Sequence, residues 1–144
     1  MNIASVLATK GSSVITIRPG QTVREALALL ASHNIGALVV VDDQLRPVGI
    51  VSERDVVRAA VRDEDVFGRP IASIMTKEVI IGSPQDDLMS VGNTMTERRI
   101  RHLPVVDAGQ LVGMVSLGDV VKAQRDKFQG EVDTLSIQLT EEHG

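Results

Sequence analysis

Apolar positions along the chain change period several times, and the changes mark the elements. Val14–Ile17 and Val79–Ile81 are β-rich runs, each followed by a proline (Pro19, Pro84) that has no N–H for a ladder. Between Thr22 and His33, Val23, Ala26, Leu27 and Leu30 share one helical face; between Asp86 and Arg98, Leu88, Val91 and Met95 do the same. Thr22, and Asp86 or Asp87, stand where a side-chain oxygen caps the free N–H groups of a helix start. Two strands then follow in each half, Leu38–Val41 with Val48–Val51 and Leu103–Val106 with Leu111–Val115. The first pair flanks a turn at Asp42–Pro47, the second a turn at Asp107–Gln110 whose Gly109 supplies the positive φ of a tight hairpin. Further helices are predicted to begin near Glu53 and Leu117, and short helical turns at Ile3–Leu7 and Ile71–Met75.

The order of elements is the same twice because the sequence is. Val48–Ala59 (VGIVSERDVVRA) returns as Val112–Ala123 (VGMVSLGDVVKA), and His33–Asp42 (HNIGALVVVD) as Arg98–Asp107 (RRIRHLPVVD). The first copy is a few residues longer, with the surplus around Thr9–Ser13 and Asp43–Pro47, turn-like stretches where insertions are cheap. Each copy reads βαββα over about 60 residues, too few to be stable alone. The expectation is an α/β (α+β) fold in which two such units, related by a pseudo-twofold axis, bury their sheet faces against each other. The predicted division is repeat 1 over 1–62, an exposed charged linker over 63–70, repeat 2 over 71–125 and a C-terminal helix or tail over 126–144. In that tail Phe128, Val132, Leu135 and Leu139 form a one-sided apolar stripe. It is the mark of a helix lying on its own domain or of a dimer seam.

Composition narrows the function. With 43% hydrophobic and 24% charged residues in 144, the chain is an ordinary globular protein. It has no Cys, so disulfides and thiolate metal sites are excluded, and His33, His102 and His143 do not stand at metal-binding spacing. The net charge of −4 and the presence of only two aromatic side chains, Phe67 and Phe128, argue against nucleic-acid binding. The opening residues lack the pattern of a secretory signal, and the most apolar run, Ile35–Val41, is far shorter than the ~20 residues of a membrane-spanning helix. A soluble, unprocessed, cytoplasmic protein is expected. Catalytic signatures (Walker A, G-x-G-x-x-G, G-x-S-x-G) are absent from the sequence, and no enzymatic activity is expected.

The sharpest local signal is Gly-x-Val-Ser-x-x-Asp, at Gly49, Ser52 and Asp55 and again at Gly113, Ser116 and Asp119, each where a strand turns into a helix. Ser-x-x-Asp is by itself a capping box, in which hydroxyl and carboxylate satisfy each other's backbone N–H groups. Two βαββα repeats each ending in this motif, together with the string Ile100–Asp107, resemble a tandem pair of CBS (cystathionine β-synthase) domains over residues 1 to about 125. The resemblance implies a regulatory module that binds an adenosyl compound (AMP, ADP, ATP or S-adenosylmethionine) in clefts between the repeats. It implies that Ser52 and Asp55 hold a ribose in one cleft and Ser116 and Asp119 in the other. The adenine would lie on the early strands, Ile15, Thr16 and Ile17 or Val79, Ile80 and Ile81. A homodimer and a separate regulated protein are the partners it implies. Chemistry agrees, since one carboxylate accepts both hydroxyls of a cis-diol and a helix N-terminus favours a phosphate.

The copies differ at the corner before their central strand. The first has His33–Ala37, nearly uncharged; the second has Arg98, Arg99, Arg101 and His102. Arg98 and Arg99 suit a solvated helix C-terminus. Arg101 and His102, with Arg54 and Arg18, are the candidate phosphate contacts, and His102 would make affinity depend on pH near neutrality. The two clefts are therefore expected to bind unequally. The alternative is a module that keeps the architecture for protein–protein contact and dimerisation and binds no nucleotide.

Overall fold

The computed structural model of the protein describes residues 1–128. Its elements are α1 (Ile3–Lys10), β1 (Thr16–Ile17), α2 (Val23–His33), β2 (Ala37–Val41), β3 (Pro47–Ser52), α3 (Glu53–Arg62), 3-10 turns at Val66–Gly68 and Ile71–Ser73, α4 (Leu88–Arg98), β4 (His102–Asp107) and β5 (Gln110–Ser116). A last helix, α5, occupies 117–128. Val132, Leu135 and Leu139 of the predicted tail stripe lie outside the described residues.

Local chemistry explains the element boundaries. The Thr22 hydroxyl caps α2 by accepting the Glu25 N–H, and the Asp87 carboxylate caps α4 by accepting the Ser90 N–H. Both helices stop at a left-handed residue, Asn34 (φ 52°) and Arg99 (φ 55°), which turns the chain back toward the sheet. The predicted inward faces are buried, with Val23, Ala26 and Leu30 in one core and Leu88, Val91 and Met95 in the other.

One sheet runs β1-β2-β3, with β1 parallel and β3 antiparallel to the central β2; β4 and β5 pair antiparallel in the second. Every residue of β2 is buried, so both faces of that strand are covered. The predicted strand Val79–Ile81 does not form a ladder. Gly82 alone bridges to Val105, giving its N–H to Pro104 and accepting from Val106. Its counterpart in the first copy is the buried Ile17. At Gly82 a Cβ would stand 2.7 Å from Leu103 and 2.9 Å from Ile3, so those side chains fill the space instead.

Ile3 is there because the openings of the two repeats are exchanged. The backbone of Ile3 and Ala4 bonds to Asp86 and Pro84 at the start of α4, while Ile71 and Ala72 bond to Gln21 and Pro19 at the start of α2. Ile3 and Val6 complete the core of the second repeat, and Ile71 that of the first. The motif glycines mark the crossings: a Cβ on Gly49 would lie 2.6 Å from Met75 Sδ, and one on Gly113 2.8 Å from the Leu7 methyl carbons. The segment expected to be an exposed linker is also anchored, since Val66 is buried in the first core and Arg69 pairs with Asp63 at 2.9 Å.

Candidate functional site

Both motifs form at the strand-to-helix junctions where the sequence puts them. In the first, the Ser52 hydroxyl accepts the Asp55 N–H (3.2 Å) and Asp55 Oδ2 accepts the Ser52 N–H (2.9 Å), a complete capping box. In the second, Ser116 Oγ accepts the Asp119 N–H (3.1 Å) and Asp119 Oδ2 the Ser116 N–H (2.8 Å). Capping is thus real in both copies, and it uses one carboxylate oxygen in each.

The surroundings then diverge. Asp55 lines a cavity of about 670 Å³ between the repeats, together with Ser52, Arg54, Val79, Ile80, Arg101 and His102. Seven of the predicted site residues meet there, the ribose motif from the first repeat and the apolar wall and basic corner from the second. Asp55 Oδ1 has a single long contact, the Thr76 hydroxyl at 3.4 Å. Arg58 and Arg99 also line this cavity. Arg58 follows Arg54 by one turn of α3, a spacing that was readable in the sequence. Arg99 faces the cavity because the left-handed cap turns the chain at that point. Four arginines (Arg54, Arg58, Arg99, Arg101) face three carboxylates (Glu53, Asp55, Glu78) at the N-terminal end of α3.

Asp119 is engaged elsewhere. Lys10, at the end of α1, places its ammonium 2.6 Å from Asp119 Oδ2 and 2.9 Å from the Met114 carbonyl oxygen. Burial by itself would raise the Asp119 pKa, but the hydrogen bonds from Lys10 and Ser116 outweigh it and hold the carboxyl below its ordinary range. Ser116 lines a separate groove of about 460 Å³ with Arg101, His102, Lys122 and Arg125. His102 borders both spaces. Its burial, and then the charge of Lys10, push its pKa below the usual value, so the imidazole is neutral at pH 7. Its charge change therefore lies on the acid side of the neutral range expected for it.

The remaining predicted residues sit apart from the 670 Å³ cavity. Ile17 is buried in the first core, with Ile15 packed against it, and Thr16 pairs with Val39 in the sheet. Ile81 is 51% exposed, and Arg18 pairs with Asp43 at 2.9 Å.

The CBS domain family model matches residues 5–62 and 71–126, one match for each repeat. The chain belongs to the CBS domain family. It is 34% identical over 122 residues to the CBS domain-containing protein YhcV of Bacillus subtilis, spanning 85% of this chain and 86% of that one. It is 34% identical over 146 residues to the mitochondrial CBS domain-containing protein CBSX3 of Arabidopsis thaliana, spanning 95% and 71%. Among solved structures, the CBS-domain protein ATU1752 of Agrobacterium tumefaciens superposes with a TM-score of 0.83 at 35% identity, covering 86% of this chain and 99% of that one. The CBS domain pair of protein MJ0100, solved with 5′-methylthioadenosine and S-adenosyl-L-methionine, does so with 0.77 at 27% identity, covering 88% and 98%. The CBS fold is a regulatory, non-catalytic one. Among the described residues no helix is long and apolar enough to cross a membrane, and no His, Asp and Glu cluster is placed to hold a metal ion.

Proposed function

We infer that this CBS pair is a regulatory module that takes an adenosyl ligand into the cleft at Asp55 and signals its occupancy to a separate protein. The observation that carries the reading is Asp55 itself. One of its oxygens is spent on the cap, the other has only the Thr76 hydroxyl at 3.4 Å among the described residues, and the residue lines a cavity large enough for a nucleoside and its substituents. Asp55 Oδ1 accepts the two ribose hydroxyls, Val79 and Ile80 supply the apolar wall for the base, and the arginines take the anionic end. Adenosyl ligands in the MJ0100 pair support the ligand class. Four arginines beside the N-terminus of α3 favour AMP, ADP or ATP over the cationic sulfonium of S-adenosylmethionine.

Calorimetric titration with AMP, ADP, ATP and S-adenosylmethionine tests this, on the natural chain and on Asp55→Asn. Each hydrogen bond to a charged acceptor is worth about 1.5–3 kcal/mol. The variant is therefore expected to bind at least tenfold more weakly with its circular dichroism unchanged. Absence of heat with all four compounds would leave a nucleotide-free interaction module as the reading.

A homodimer is part of the same proposal. Val57 and Val61, one turn apart on α3, and Val121 on α5 are 62%, 83% and 54% exposed. Light scattering should give twice the chain mass, and Val61→Glu should reduce it; a monomeric natural chain would remove this element.

A further inference from the structure

The internal duplication supplies its own control for what stands in front of each motif. In both repeats the exchanged opening crosses the motif strand at the motif glycine, through Met75 at Gly49 and Leu7 at Gly113. Beyond that crossing the two differ. After Met75 the chain straightens, and the Thr76 N–H satisfies the Ile50 carbonyl at 2.8 Å. After Leu7 the helix continues for three residues to Lys10, made possible by the surplus residues of the first copy. The carbonyl equivalent to that of Ile50 is that of Met114, and the Lys10 ammonium takes the place of a backbone N–H there.

The same ammonium reaches Asp119. On Asp55 a hydroxyl stands 3.4 Å from Oδ1; on Asp119 a full positive charge stands 2.6 Å from Oδ2, the oxygen that also accepts the Ser116 N–H. Lys10 is held there by its helix, because Ile3 and Val6 are buried in the second core and Leu7 packs on Gly113. A carboxylate with an ammonium this near has its charge already balanced, so its other oxygen is a weaker acceptor for a diol than that of Asp55, which has no such partner among the described residues.

We propose that Lys10 is a built-in counter-ion of the second motif, neutralising the Asp119 carboxylate that a ribose would need, so that the chain offers one adenosyl site instead of two. The proposal rests on the reading of Ser52 and Asp55 as a ribose site. It makes the surplus turn of the first copy, and not the charge of the corner at Arg99–His102, the feature that separates the two clefts.

The test is a titration with adenosine, which carries the diol and the base but no charge, followed by amide NMR shifts in the full 144-residue chain. In the natural protein adenosine should move the amides of Ser52, Glu53 and Val79 and leave those of Ser116, Leu117 and Gly118 in place. In Lys10→Met, which keeps the apolar stem, both sets should respond, with affinity at the second set raised at least tenfold; Lys10→Met combined with Asp119→Asn should silence the second set again. Lys10→Gln serves if the Met variant disturbs α1. Equal responses of both sets in the natural chain would overturn the proposal and leave the Asp55 reading intact, as would a second set that stays silent in both Lys10 variants. A silent first set with a second set that wakes in Lys10→Met would overturn the Asp55 reading and the single-site proposal that rests on it. Silence of every set in every protein would overturn both.

Discussion

Gly49→Ala puts one methyl group where the opening of the second repeat crosses β3. The added Cβ would stand 2.6 Å from Met75 Sδ, 3.0 Å from its Cγ and 3.1 Å from the Thr76 carbonyl oxygen. Met75 can swing aside, but the Thr76 carbonyl is fixed by the Ile50 N–H at 3.0 Å, and the Thr76 N–H returns a bond to Ile50 at 2.8 Å. Overpacking of this kind costs about 1–3 kcal/mol, and a weakened hydrogen bond adds roughly 0.5–1.5 kcal/mol. The expected loss is about 2–4 kcal/mol, equivalent at this chain length to a fall in Tm of roughly 6–16 °C. Urea unfolding followed by circular dichroism measures it, since the chain has no Trp to report by fluorescence. Gly68→Ala is the control: its Cβ meets nothing within 4 Å, and a change of no more than ~0.5 kcal/mol is expected. In a Met75→Ala background the Gly49→Ala penalty should shrink, because the sulfur contact is gone. A Gly49→Ala protein within ~0.5 kcal/mol of the natural one, or an undiminished penalty without Met75, would refute the crossing as the reason for the motif glycine.

Further outcomes follow from single contacts. Ser52→Ala and Ser116→Ala each remove an N-cap and should cost about 1 kcal/mol. His102 should titrate below its ordinary 6.5 in an NMR pH series, and Lys10→Met should raise the midpoint by removing a nearby positive charge. Because the folded state binds that proton less readily, His102 lowers stability as pH falls through 6.5, the penalty levelling off below the folded value. Asp119 has the opposite charge type and the same direction of shift. Its contribution is present above 3.8 and is lost as pH falls through the lower folded value, and Lys10→Met should reduce it. Arg99→Gly should stabilise the fold by up to ~1 kcal/mol by relieving the left-handed backbone, while weakening AMP binding through loss of a cleft cation.

Much of this protein was determined by its sequence alone. The duplication, the inward faces of α2 and α4, the hairpins and both capping boxes depend on spacings of two to four residues, and each is readable from side-chain chemistry within one element. The family resemblance named Ser52, Asp55, Val79, Ile80, Arg101 and His102 as site residues, but which motif shares a cleft with which strand and corner is contained in no local pattern, and the packed fold decides it. Tertiary structure decided the rest. Val79–Ile81 has the composition of a strand, yet what pins it is the space taken at Gly82 by Ile3 from the other end of the chain. Val66 reads as part of a charged linker, yet the first core has room for it. Lys10 and Asp119 stand 109 positions apart, and nothing near either residue announces the other. Their meeting depends on the exchange of the two openings, and an exchange is a matter of which core each segment completes: the hydrophobic pattern fixes that a face is buried, while only the packed fold fixes against what.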